Sequence, residues 1–392
     1  MKTTRLAVPL SYSLASFFNF ALSLVVLLIP LYGLHLGLSL PTIGILISIP
    51  GFLQLGLRLV AGALIDNWGE KPGLLVTFLF GAAAAIFFML AHGFYLLALA
   101  QVSMGLARSF FWTSSQSYAS RIPGTESVHI LGRTTSFVHV GRILGIIVGG
   151  VLIDFFGYRQ AFGSMLFMLL LGFILAGMLP SLPKKNTSLR VSLQEMPNLV
   201  KQKSLQMAAI VCFLTAIAFV LTEGFYPVWF HGLGFSETAI GLLMAARGIG
   251  SILSTFSFGY LAHLFKEERL FQIAILLPGV LLISLPFIKA AAVIVVVVMA
   301  AGILTGVGQV LYISMTSFYS SEEYRGMALS LVGMAWSSAY ILGPIPFSRV
   351  ADRLGVPTSF LLLGIIYILM GSIAPAVYRR FIPRQVMEEG SN

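Results

Sequence analysis

The sequence predicts an all-α membrane protein: twelve transmembrane helices in two six-helix halves, each half made of two inverted three-helix repeats. Three observations carry this reading. Of 392 residues, 58% are hydrophobic and 10% charged, against about 45–50% and about 25% in ordinary soluble domains; the mean hydropathy is +0.94. A soluble chain so apolar could not cover its surface with polar groups. Twelve stretches each supply the roughly 20 mostly apolar residues that a membrane helix needs. Finally, the sequence repeats upon itself.

The first stretch, 8–30, follows Lys2 and Arg5. It is too long for a signal-peptide core and lacks a small-x-small cleavage site, so it reads as an uncleaved helix. Stretches 41–64, 73–91, 94–117, 135–155 and 160–180 complete the first half, residues 1–180. A polar linker, 181–205, carries Lys184, Lys185, Arg190, Lys201 and Lys203. The second half, 206–392, holds 206–230, 238–262, 270–288, 291–318, 326–348 and 357–378. With the N-terminus in the cytoplasm, sixteen Lys and Arg fall on that side and four (Arg159, Lys289, Arg349, Arg353) on the other. The positive-inside rule therefore places both termini in the cytoplasm, in a multi-pass protein of the plasma (inner) membrane. The net charge of +10 reads as membrane topology and not as nucleic-acid binding. Cys212, the single cysteine, forms no intramolecular disulfide and no cysteine metal cluster.

Shifted by 197 residues, the halves align without gaps: Pro30 meets Pro227, Gly37 meets Gly234, Gly51 meets Gly248 and Gly62 meets Gly259. A finer repeat has an offset of 88: Gly62-x-x-x-Asp66-x-x-Gly69 recurs as Gly150-x-x-x-Asp154-x-x-Gly157. That offset spans three helices, an odd number of crossings, so the second unit is inverted. Inverted repeats nested in parallel halves are a transporter arrangement with a substrate site near the midplane. The third helix of each unit (73–91, 160–180, 270–288, 357–378) has no charged residue and is expected to face lipid. Charged residues within helices 2, 4, 5, 7 and 8 should place those helices toward the interior.

The segment Gly62-Ala-Leu64-Ile-Asp66-Asn-Trp-Gly69-Glu-Lys71 resembles the Gly-x-Leu-x-Asp-x-x-Gly-x-Lys/Arg motif between helices 2 and 3 of the major facilitator superfamily. The resemblance implies a cytoplasmic gate in which Asp66 and Lys71 bridge helices. Its second-half copy, Gly259-Tyr-Leu261-Ala-His263-Leu-Phe-Lys266, has His263 in the Asp's place. In helix 5, Gly141-Arg-Ile-Leu-Gly145-Ile-Ile-Val-Gly149-Gly150 is similar to the Gly-x-x-x-Gly-Pro-x-x-Gly-Gly motif of the family's drug and metabolite exporters, with Ile146 where the proline would be. In helix 4, where the family often carries Arg-x-x-x-Gly, Gln101 precedes Gly105 and Arg108 follows one turn later. The resemblance covers the whole chain. Gly141, Gly145 and Gly149 also have a plainer reading, because small residues every fourth position let two helices approach closely.

A charge near the bilayer centre costs at least ~2.5–3.5 kcal/mol on insertion scales, so a residue kept there needs a partner or a task. Glu223 is the one acid well inside a predicted helix, seven residues before Phe230. Arg247 lies nine residues into the antiparallel next helix, at similar depth. This predicts a Glu223–Arg247 pair, either a fixed bridge or a switch that protonation of Glu223 would open. Arg108 and Arg142 suit carboxylate or phosphate recognition, or bind helix carbonyls; Arg58 snorkels to the surface. His139, one turn before Arg142, is either a packing residue or a second coupling group. Asn19, Trp112, Gln309, Trp336 and Tyr340 could add the few polar and aromatic groups of a mostly apolar cavity.

The sequence holds no nucleophile elbow, no His-Glu-x-x-His and no Walker loop, so an enzyme is not expected, nor a cofactor or metal. The expected function is secondary active transport by alternating access. The leading form is proton-coupled export of a small organic metabolite or drug by a monomer in the lipid bilayer. The alternatives are uptake of an organic anion or zwitterion, suggested by the arginines, and a transport-inactive membrane sensor that kept the fold.

Overall fold

The structure, a computed structural model, describes residues 2–122, 127–182, 196–321 and 324–382; of residues 2–5, 58, 59, 62, 63, 66 and 127–129 it describes the backbone alone. Twelve helices long and apolar enough to cross a membrane lie among the described residues. They are α1 (Lys2–His35), α2 (Leu40–Trp68), α3 (Glu70–Leu90), α4 (Phe94–Ser120), α5 (Ser127–Phe156), α6 (Tyr158–Met178), α7 (Lys203–Gly232), α8 (Glu237–Leu264), α9 (Glu267–Ser284), α10 (Ala291–Tyr319), α11 (Arg325–Leu354) and α12 (Val356–Phe381).

Each predicted apolar stretch is a helix, and several helices run past it. A ladder of i→i−4 hydrogen bonds continues wherever side chains permit, whereas hydropathy marks only the part that hydrocarbon can cover. Thus α5 begins eight residues before the apolar stretch starts at 135. The eleventh helix differs most. It was expected as one rod over 326–348, but it breaks at Gly343 into Arg325–Leu342 and Pro344–Leu354. Pro344 has no N–H to give and its ring crowds the preceding turn. Arg349 and Arg353, expected in a loop, belong to the second stretch.

The tight turns record the internal repeat in backbone angles. Gly37 after α1 has φ +72° and its counterpart Gly234 after α7 has φ +84°. Gly69, Gly157 and Gly355 follow α2, α5 and α11 with φ of +97°, +88° and +85°. The fourth equivalent position is Lys266, whose φ is −62°. A side chain disfavours positive φ, so this turn alone takes an extended form.

By packing, the chain forms two compact units: residues 1–187 with 223–245, and residues 188–222 with 246–392. In the first, α1 packs on α5 and α6, α2 on α4, and α3 on α4 and α6. Phe18 of α1 stacks on Phe111 of α4, ring centres 4.0 Å apart, and meets Phe78 of α3 edge-on. In the second, α9 packs on α10 and α12, and α11 on α10 and α12. Its core joins Val211 and Leu214 of α7, Phe271 and Ile275 of α9, Leu311 of α10 and Tyr367 of α12. Lipid is as apolar as leucine, so close packing and not escape from water holds such helices together.

Burial follows the repeat as well. In their most apolar windows α1 is 83% buried and α7 72%, against 28% for α12. The third helix of each three-helix unit exposes a row of apolar side chains: Leu79 and Ile86 of α3, Phe167, Leu170 and Ile174 of α6, Leu277 and Val280 of α9, and Leu362, Ile366 and Leu369 of α12.

Candidate functional site

In the first unit, the glycine face of α5 lies directly on α1. A Cβ on Gly141 would stand 2.1 Å from the Ser16 carbonyl oxygen, and one on Gly145 would stand 2.3 Å from that of Phe20. Gly149 faces Leu24. Contacts under 3.0 Å leave no room for a side chain. This approach sets Arg142, the neighbour of Gly141, beside Glu223 of α7. Glu223 is 4% exposed, and Arg142 Nη2 donates to its Oε1 in an ion pair. Glu223 thus has a partner on α5, which the sequence reading did not assign. A buried carboxylate of this kind is tolerated because a guanidinium compensates it.

The first unit holds further polar groups inside its helices. Asn19 of α1 is fully buried; its Nδ2 donates to the Ala15 carbonyl at 2.9 Å, and its Oδ1 accepts no hydrogen bond among the described residues. Arg108 of α4 is buried, one turn before Trp112, which meets Phe111 edge-on with ring centres 5.2 Å apart. His139 is partly buried, one turn before Arg142 on α5.

The second unit holds a different arrangement. The buried Arg247 of α8 lies over the ring of Phe219 of α7, its Cζ 4.7 Å from the centroid. Such cation–π placement supports a guanidinium where water is absent. Trp336 of α11 packs on the same Phe219 (5.1 Å) and on Tyr312 of α10 (6.2 Å). Arg247 and Trp336, both singled out in the sequence, are therefore joined through one aromatic that was not, Phe219. Phe219 and Tyr312 carried no signal, because an aromatic in an apolar helix looks like any packing residue. Gln309 of α10 is partly buried and Tyr340 of α11 is buried.

At the α2–α3 turn, the side chain of Asp66 and the surroundings of Gly62 lie outside what is described. The Gly69 N–H closes α2 by donating to the Ile65 carbonyl at 2.7 Å, and Lys71 lies in the first turn of α3. Its neighbour Glu70 is buried; it accepts from Ser117 Oγ at 2.8 Å and pairs with Arg121. In the motif resemblance Glu70 stands at an unspecified position, so nothing in the sequence marked it. His263, near the end of α8, is exposed.

The inverted copy of that motif is fully described. Asp154, at the end of α5, accepts the backbone N–H of Glu237 at 3.1 Å through Oδ1 and that of Thr238 at 2.8 Å through Oδ2. These are among the first N–H groups of α8, which have no partner within their own helix. Four residues earlier, a Cβ on Gly150 would stand 2.4 Å from the Glu237 carbonyl oxygen. The glycine admits the helix start and the aspartate caps it.

The Major Facilitator Superfamily profile matches residues 11–288 and 208–389. The chain is 23% identical over 398 aligned residues, 95% of each chain, to the "Multi-drug resistance efflux pump PmrA homolog" of Lactococcus lactis subsp. lactis (strain IL1403). It is 27% identical over 216 residues, 54% of this chain and 53% of the relative, to the "Probable sugar efflux transporter" of Haemophilus influenzae (strain 86-028NP). The crystal structure of the nucleoside transporter NupG superposes with a TM-score of 0.80 at 16% identity, over 97% of this chain and 100% of that one. A bacterial homologue of the human lysosomal transporter Spinster, in an inward-facing and occupied conformation, superposes at 0.80 with 12% identity, over 97% and 98%.

Proposed function

Because the chain belongs to the major facilitator superfamily and is a transporter of that family, we propose that it exports a small organic metabolite or drug in exchange for protons. The observation that carries this reading is the buried Glu223–Arg142 pair. Glu223 is the proton carrier: loaded with a proton it no longer compensates Arg142, and the pair opens. Arg142 stands within the glycine run of α5, so opening the pair acts on the α1–α5 contact. Arg247 is the second guanidinium available to Glu223, and His139 an auxiliary coupling group. Efflux is favoured over uptake by the names of the two sequence relatives, both exporters. Asn19, Arg108, Trp112, Gln309, Trp336 and Tyr340 contact the substrate. Gly62, Asp66, Gly69 and Lys71, with His263, form the cytoplasmic gate, and both termini are cytoplasmic. No nucleotide-binding motif is present in the sequence, so the gradient supplies the energy.

The test is transport in proteoliposomes with an imposed pH gradient and a panel of labelled drugs and metabolites. Wild-type protein is expected to accumulate a substrate against its gradient. Glu223→Gln should lose accumulation but keep substrate counterflow. Undiminished accumulation by Glu223→Gln would overturn the coupling role. A second reading, an organic anion or zwitterion as substrate, is favoured by the buried guanidinium of Arg108.

A further inference from the structure

A cavity of about 470 Å³ lies wholly within the second unit, between α7, α11 and α12. Phe213, Leu214 and Leu221 form one wall, Leu342, Phe347 and Val350 another, and Leu363 and Met370 the third. Its place follows from the break in α11, since lining residues stand on both sides of Gly343.

We propose that this cavity is a binding site for one acyl chain of a bilayer phospholipid. The first argument is polarity. The lining offers two side-chain hydroxyls, and both are engaged: Tyr367 OH donates to the Leu214 carbonyl at 2.5 Å and Ser359 Oγ to that of Gly355 at 3.4 Å. An apolar cavity of about 150 Å³ stays dry and takes benzene; this one is some three times larger. Left empty, its walls would forfeit dispersion contacts over that whole surface. Surroundings supply the second argument. Every lining residue belongs to one of three apolar membrane-spanning helices, so the neighbouring medium is hydrocarbon. The mouth is open to it: Leu342, Leu362 and Ile366 line the cavity and are 57%, 43% and 50% exposed. Length is the third. Along α12 the lining runs from Ser359 to Met370, about 16 Å at 1.5 Å per residue. That is close to half of the roughly 30 Å hydrocarbon core, the depth of one leaflet. The site thus fits one chain entering side-on from the leaflet at the α12 N-terminal end, and not a molecule that spans the bilayer.

The test is photolabelling. The full-length protein is placed in nanodiscs containing a phospholipid with a diazirine in its acyl chain, irradiated, and mapped by peptide mass spectrometry. Label on residues 213–221, 342–350 and 359–370 is expected several-fold above that on the exposed row Phe167, Leu170 and Ile174 of α6. Leu362→Trp and Ile366→Trp, which crowd the mouth at surface positions, should lower the cavity label and leave the α6 label unchanged. Equal labelling of both faces, or a cavity label indifferent to both tryptophans, would overturn the proposal. So would displacement of the lipid label by a transported drug at its transport concentration, which would make the cavity a substrate site. Because the readout is lipid label and not transport, the proposal stands or falls independently of proton coupling.

Discussion

Removing one partner of a buried ion pair strands the other, which costs about 3–5 kcal/mol. Arg142→Gln should therefore lower thermal stability sharply. Glu223→Gln should lower it less, because Arg142 is about one-quarter exposed and can reach polar surroundings. In the double variant Arg142→Gln with Glu223→Gln most of the Arg142→Gln loss should return, and a double-mutant cycle on melting temperature reads the coupling. Additive losses would mean that the two residues are not energetically joined. The sequence displayed Glu223 clearly, as an acid in an apolar helix. Its partner was not legible: Arg142 is 81 positions away, and counting residues from helix ends estimates depth but not which helix face meets which. Arg247 shows the same limit, since its support from Phe219 depends on a rotation about two helix axes that spacing does not encode.

Two helix contacts of the first unit form where a side chain is missing or a carboxylate intervenes: α1 with α5, and α5 with the start of α8. Gly145→Ala would push a Cβ to 2.3 Å from the Phe20 carbonyl oxygen and 2.2 Å from Ser23 Oγ. Overpacking of this kind costs about 1–3 kcal/mol, and α1 and α5 must separate to relieve it. Gly132→Ala on the same helix meets nothing within 4 Å; replacing a mid-helix glycine there should stabilise by about 0.5–1 kcal/mol. Opposite signs in a thermal-shift assay would show that contact with α1, and not glycine itself, decides. Asp154→Ala should cost about 0.5–2 kcal/mol, the usual loss for a helix cap, while Asp154→Asn, which keeps an acceptor, should lose less. Hydropathy made the twelve helices legible. The repeat also marked Asp154, yet not what it caps, because the N–H groups it accepts belong to a helix 83 positions on. The break at Gly343-Pro344 was visible as a dipeptide, but whether a proline ends a membrane helix or only bends it depends on its neighbours.

For the whole molecule, family and fold narrow the question to what crosses and which way. A thermal-shift screen of purified protein answers the first part, since a ligand that binds only the folded state raises stability by mass action, about 2.7 kcal/mol at a hundred times Kd. Stabilisation by anions or zwitterions that disappears in Arg108→Ala would identify an acidic or zwitterionic substrate. Stabilisation by lipophilic cations that persists in Arg108→Ala would identify a multidrug-type exporter. Transporters sharing this fold carry names as different as sugar efflux and nucleoside transport, so fold cannot choose among them.

The deep burial of α1 bears on how the protein is made. Its main packing partner in the first unit, α5, ends at Phe156, some 121 residues after α1 ends at His35. At about 5–20 residues per second of synthesis, α1 waits roughly 6–24 s before that surface can be covered. During this interval the side of α1 destined for α5 is held against lipid or against the insertion machinery, with Ser16 and Ser23 unshielded. The helix that is most enclosed in the finished protein is thus among the most exposed during biogenesis, and substitutions there should reduce yield in the membrane before they reduce transport per molecule.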